Sequence, residues 1–177
     1  MRFIALLRGV NMGGHKKAPM SDLRALAADL DLSNARTLLQ SGNMVFASRK
    51  SADALETLLE RALAERLRLA TAVFVRTAAE WAKIVAANPF ADEAAREPSR
   101  LALMLLKDKP SAAAIAALKA CITGREYFAA RERQLYAFFP DGFANTKLTT
   151  AVIDRKLANT VTARNWNTVL KIADALG

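Results

Sequence analysis

The sequence predicts an α+β protein of two packed subdomains, the first of them ferredoxin-like. Three observations carry this prediction. Short apolar runs alternate along the chain with longer segments whose apolar residues recur at helical spacing. Glycine, proline and capping residues punctuate the first half into the order β-α-β-β-α-β, the split arrangement of a ferredoxin-like unit. A polar stretch broken by Pro98 then separates this half from a second series, read as β-α-β-β-α-α. The chain therefore divides into a ferredoxin-like subdomain at 1–87, a linker at 88–100, and a second α+β subdomain at 101–177 ending in a helix pair.

Residues 3–10 are apolar on both faces, as in a buried central strand. Gly13 and Gly14 permit a tight exit from it. Pro19 and Ser21 mark a helix start, with Asp22 in the first turn; Leu23, Leu26, Ala27 and Leu30 give residues 22–30 one apolar face. Residues 35–40 and 43–48 are two strands joined by a tight turn at Ser41 and Gly42. Ser51 caps a helix lined by Leu55, Leu58, Leu59, Ala62, Leu63 and Leu67, and residues 72–76 are the fourth strand. Thr77 and Glu80 form a capping box that opens a short helix, which Asn88 and Pro89 end. In the ferredoxin-like arrangement the first and third strands are central, antiparallel neighbours. That places Arg8, Asn11, the Gly13-Gly14 turn, Gln40, Ser41 and Asn43 at one end of the sheet.

In the second half, residues 101–107 are another apolar strand. Pro110 and Ser111 start a helix that Gly124 ends, and strands at 127–130 and 134–139 form a hairpin around 131–133. Asn145 or Thr146 caps a helix carrying Leu148, Val152 and Leu157. After a loop at 158–161, Thr162 caps the last helix. Trp166, Val169, Leu170, Ala173 and Leu176 give that helix a core stripe, and Arg164, Thr168 and Lys171 a second stripe flanked by Asn165 and Asn167. Arg164 then sits in a first helical turn, where the dipole disfavours a cation, so an anionic partner is expected. This half echoes the first in element order, not in sequence.

The formal charge is +9: residues 1–50 contribute +5, residues 51–124 contribute +1 and residues 125–177 contribute +3. The excess at the two ends makes one basic face if those ends meet. No apolar run is long enough to span a bilayer, and the start lacks a secretory pattern, so a cytoplasmic protein without a membrane partner is expected. The single Cys121 excludes an internal disulfide framework and is read as a buried helix residue in a reducing compartment. His15 is the only histidine, which excludes a two-histidine metal site within the chain.

No conventional catalytic set is present. Ser41 lacks the G-x-S-x-G context, a Cys121–His15 pair has nothing to support it, and no reaction is assigned. No cofactor is implied, because the glycines match neither G-x-G-x-x-G nor the P-loop pattern. The residues do suit a small anionic ligand, a nucleotide or phosphorylated metabolite. Gly13 and Gly14 offer backbone N–H groups, and Arg8, Lys16, Lys17 and Arg164 offer charge. The expected site is Arg8, Asn11, Gly13, Gly14, Ser41 and Asn43, with Arg164, Asn165 and Lys171 contributing if the last helix docks there. The alternatives are nucleic-acid binding through the basic surface, for which the central strands lack an aromatic pair, and an enzyme of unassigned reaction.

Three separated motifs carry a resemblance. They are Leu6-Leu-Arg-Gly-Val-Asn-Met-Gly-Gly14, Gln40-Ser-Gly-Asn43 followed by Val45-Phe46, and Thr162-Ala-Arg-Asn-Trp-Asn-Thr-Val169 followed by Lys171. Together with Met20 and Leu23-Arg24 they resemble the bacterial domain of unknown function 1697 family, in the right order over essentially the whole chain. Ala163 stands where a second threonine is usual there, and Met12 where a small β-branched residue is common. The resemblance implies a two-part α+β protein of the bacterial cytoplasm with a ferredoxin-like first half. It implies no activity and no catalytic residues.

Overall fold

A computed structural model describes residues 1–11, 17–144 and 146–177. The expected turn glycines Gly13 and Gly14, together with His15, Lys16 and the cap candidate Asn145, lie outside the described residues. The fold is α+β, with two four-stranded antiparallel sheets. The chain forms two compact units, Met1–Ala86 with Lys171–Gly177, and Ala87–Leu170.

The first unit runs β1 (Arg2–Leu7), α1 (Met20–Asp29), β2 (Ser33–Leu38), β3 (Asn43–Ala47), α2 (Ala52–Leu67), β4 (Val73–Thr77) and α3 (Ala78–Ala86). Its strand order β2-β3-β1-β4 is ferredoxin-like. β1 is central and pairs with β3 and β4, so that Ile4 faces both Val45 and Arg76. Alternate residues of the strands, Phe3, Ala5, Leu7, Met44, Phe46, Val73 and Val75, share one core with Leu23 and Leu26 of α1 and Leu55, Leu59 and Leu63 of α2. Ile4, Leu6 and Phe74 point to the other face and are buried as well, which is why β1 reads as an unbroken apolar run. Each such side chain, taken out of water, contributes about 1.5–3 kcal/mol.

Local signals place the elements. Ser51 Oγ accepts from the Ala54 amide and starts α2. Thr77 and Glu80 close a reciprocal capping box, with the Glu80 amide donating to Thr77 Oγ1 and the Thr77 amide to Glu80 Oε2. The β2–β3 turn occupies residues 39–42 rather than Ser41 and Gly42 alone, because Leu39 (φ 57) and Gly42 (φ 70) both take left-handed backbone.

The second unit begins with α4 (Ala91–Arg96), a short helix inside the stretch expected as a linker. Tyr127 Oη donates to Glu93 of α4 at 2.7 Å, and Phe90 meets the Tyr127 ring edge-on. There follow β5 (Leu101–Leu106), α5 (Ala112–Ala120), β6 (Tyr127–Arg131), β7 (Gln134–Phe138), α6 (Thr150–Leu157), β8 (Val161–Asn165) and α7 (Trp166–Leu176). Thr149, and not Thr146, caps α6 by accepting from the Val152 amide. Cys121 is half-buried at the C-cap of α5. Lys171–Gly177 of α7 groups with the first unit, where Arg36 Nη2 donates to the Ala175 carbonyl at 3.1 Å.

One element differs in type. The segment expected to be a loop and a helix start, residues 158–165, holds β8, paired antiparallel with β5. Ala158 (φ 46) ends α6 in the left-handed region, and Val161 and Thr162 are β-branched, which suits a pleated strand. The second half is therefore β-α-β-β-α-β followed by α7, not β-α-β-β-α-α, and its strand order β6-β7-β5-β8 repeats that of the first. The repetition extends to individual bonds. The Leu7 amide donates to Gly42 O at 2.8 Å and the Leu106 amide to Arg133 O at 2.9 Å; the Arg8 amide donates to Ala72 O at 3.0 Å and the Lys107 amide to Thr160 O at 3.2 Å. The two halves thus follow one chain path, residue for residue at the strand ends.

Candidate functional site

The exit of β1, the β2–β3 turn and the start of β4 converge at one end of the first sheet. Thr71 Oγ1 donates to the Arg8 carbonyl at 2.6 Å, which holds the chain beside β4 as it leaves β1. Arg8, Gly9, Ala70, Thr71 and Ala72 line an open depression of about 560 Å³. Gly9 has φ 62, and, its chain neighbours aside, no atom of the described residues lies within 4 Å of the position its Cβ would take, so the backbone there is open to close approach. Arg8 brings a guanidinium to this lining.

Asn11 lies next to this depression along the chain, at φ 58. Its Nδ2 donates to the carbonyls of Ala18 and Gln40, both at 2.9 Å, and its Oδ1 accepts from the Ala18 amide at 3.0 Å. The side chain therefore clamps the loop ends and ties them to the hairpin. Asn43 is fully buried, and its Nδ2 donates to Leu38 O at 3.0 Å and Ser41 Oγ at 2.9 Å. Both asparagines, expected as ligand contacts, hold backbone in place. Arg8, Asn11, Ser41 and Asn43 do share this end of the sheet.

Arg164 is placed otherwise than the sequence suggests. It lies in β8, opposite Leu103, and not in the first turn of a helix. Only 7% of it is exposed. Its Nη1 donates to the Ala163 carbonyl at 2.7 Å and to Thr162 Oγ1 at 3.1 Å. Burial pushes its guanidinium down to about 10. Such a group is not part of an open cationic surface. Asn165 Oδ1 accepts from the Thr168 amide at 3.0 Å and caps α7, a helix-start role that the sequence reading gave to Thr162. Thr168 is buried and Lys171 exposed, so the expected polar stripe does not form one face.

Sequence reasoning missed a second concavity. Gly124, Glu126, Asp141, Gly142, Thr146 and Lys147 are among the residues lining a cavity of about 350 Å³ in the second unit. Thr146 Oγ1 donates to Glu126 at 3.0 Å, and Arg125 Nε donates to Asp141 at 3.1 Å. The Pro140-Asp-Gly142 turn followed by Thr146-Lys147 ahead of a helix was the available signal. Among the described residues, no group of three His, Cys, Asp or Glu side chains is placed to hold a metal ion. No helix among them is long and apolar enough to cross a membrane.

No curated protein matches the chain. A solved structure, that of the conserved bacterial protein SP0830 from Streptococcus pneumoniae, superposes with a TM-score of 0.77 at 20% sequence identity. The match covers 99% of this chain and 98% of that one, and it shows a shared fold. The family model described as "Protein of unknown function (DUF1697)" matches residues 1–136, and the chain belongs to that family.

Proposed function

We propose that the protein is a cytoplasmic binder of a small anionic ligand, a nucleotide or phosphorylated metabolite, held at the end of the first sheet. The observation that carries this reading is the depression beside β1, where Arg8 lies beside the open backbone of Gly9. A guanidinium presents a planar fork of N–H donors that matches two phosphate oxygens at once. A glycine without neighbours at its Cβ position lets a phosphate approach the main chain. Arg164 and Asn165 leave the proposal, being occupied in burial and helix capping.

A thermal-shift screen of nucleotides, phosphosugars and inorganic phosphate tests it, followed by calorimetric titration of any hit. A ligand at about 100 times its Kd stabilises by about 2.7 kcal/mol, a shift of several degrees in a chain of this size. Arg8→Ala is expected to abolish the shift while leaving the midpoint of the unliganded protein in place. Loss of no ligand on Arg8→Ala, or no shift with any phosphate compound, overturns the reading.

A further inference from the structure

The second unit repeats the chain path of the first but decorates the same sheet end differently. Where the first unit has a concave site, the second has a basic surface. Lys107 and Lys109 follow β5, Arg131 and Arg133 form the β6–β7 hairpin, and Arg155 and Lys156 end α6. These three segments are stitched together by named bonds. The Leu106 amide donates to Arg133 O, and Arg133 Nη1 reaches the Lys107 carbonyl at 3.4 Å. Asn159 follows α6 and accepts on Oδ1 from the amides of Lys107 (3.1 Å) and Asp108 (3.3 Å), while its own amide donates to Asp154 O. Six cations thereby share one end of the unit with three carboxylates, those of Asp108, Glu132 and Asp154. Of these, Glu132 pairs with Lys109 at 3.1 Å, and Asp154 accepts the Val161 amide at 2.8 Å. The balance is positive, and Lys109, Arg131, Arg155 and Lys156 are exposed.

We infer that this end of the second unit is an interaction surface for the phosphodiester backbone of a nucleic acid. Spaced, exposed cations on a polar surface satisfy phosphates and release counterions without reading bases. Among the described residues, the large apolar side chains that stand exposed are Met1, Leu39, Tyr127, Phe143 and Leu170, and none belongs to the patch. A lipid surface would therefore find nothing there to bury. The inference is independent of the depression at Arg8, since it involves another unit and another ligand class.

Fluorescence anisotropy of the full chain with a labelled single-stranded RNA and a DNA duplex, each of about 20 nucleotides or base pairs, tests it between about 50 and 200 mM salt. Binding is expected to weaken steeply with salt. The variant Lys107→Gln/Lys109→Gln/Arg131→Gln/Arg133→Gln is expected to lose about tenfold or more in affinity and to flatten the salt slope by about one for each phosphate contact removed. The milder Arg131→Gln/Arg133→Gln pair gives a smaller change of the same sign if the fourfold variant does not fold. A charge-matched control, Arg49→Gln/Lys50→Gln/Arg61→Gln/Lys83→Gln in the first unit, is expected to bind as the parent does. Absence of binding to both probes at low salt, equal loss in the control, or binding of phosphatidylserine vesicles in place of nucleic acid overturns the inference.

Discussion

Arg76 and Arg164 occupy the same position in the two halves, each one residue before the end of the fourth strand. Arg76 lies opposite Ile4, and Arg164 opposite Leu103. Each is followed by a helix-capping residue, Thr77 or Asn165. Both arginines are buried, and each donates to the carbonyl of the residue before it, Val75 or Ala163. Arg76 also lies 3.5 Å from Glu56.

A first prediction separates this structural arginine from the proposed ligand arginine. Arg164→Ala removes a long buried side chain and strips the Thr162 hydroxyl and Ala163 carbonyl of a partner. The expected cost is about 2–4 kcal/mol, a cavity term added to unsatisfied polar groups. Arg8, half-exposed at the mouth of the depression, is expected to cost under about 1 kcal/mol when replaced by Ala. Urea denaturation of both variants measures the difference; equal losses would make Arg8 a structural residue too.

Glycine positions give a second. At Gly42 an added Cβ would stand 3.0 Å from Leu7 Cβ and 3.4 Å from Val10 Cβ, in a backbone at φ 70. Gly42→Ala meets both left-handed strain and the neighbouring strand, and about 2–3 kcal/mol of destabilisation is expected. Gly9→Ala meets only the strain, since among the described residues nothing beyond its chain neighbours lies near its Cβ position, and about 1 kcal/mol is expected. Thermal melts rank the two, and Gly9→Ala is in addition expected to weaken the ligand named above by crowding the depression.

The residues that were legible in the sequence are those whose local chemistry and burial agree. β1, the hairpin at Asn43 and the Thr77–Glu80 box are examples: apolar runs, a glycine turn and a reciprocal cap each specify one structure. β8 was not legible because Thr162-Ala-Arg-Asn-Trp-Asn runs without a glycine or proline into a strongly amphipathic helix, and the strand borrows the helix's pattern. Only pairing with β5, a partner far away in sequence, decides it. The burial of Arg164 was hidden for the same reason. A cation reads as exposed until strand alternation puts it on a covered face. Asn11 and Asn43 were legible as residues of one sheet end but not as backbone clamps, since a polar side chain beside a turn serves a ligand or the backbone with the same atoms.

The contact between Tyr127 and Glu93 yields a prediction in pH. Burial, and then the hydrogen bond to Glu93, raise the Tyr127 hydroxyl to about 12, so the folded protein favours its neutral form. The stability this contributes is complete below the unfolded value of about 10 and is lost as pH rises through about 12. The same bond holds the Glu93 carboxyl below its ordinary range, with the Tyr127 hydroxyl as the largest cause. That contribution is present above the ordinary carboxylate value and is lost as pH falls through the lowered one. Tyr127→Phe keeps the ring contacts with Phe90 and Phe138 while removing the donor. The variant is expected to flatten the alkaline loss of stability and to raise Glu93 towards the ordinary range, with a small effect at neutral pH because the pair is solvent-exposed. Denaturation midpoints from about pH 3 to pH 11, with carbon-detected titration of Glu93, measure both limbs; an unchanged Glu93 titration in the variant would show that α4 is held to β6 by the Phe90 and Tyr127 rings alone.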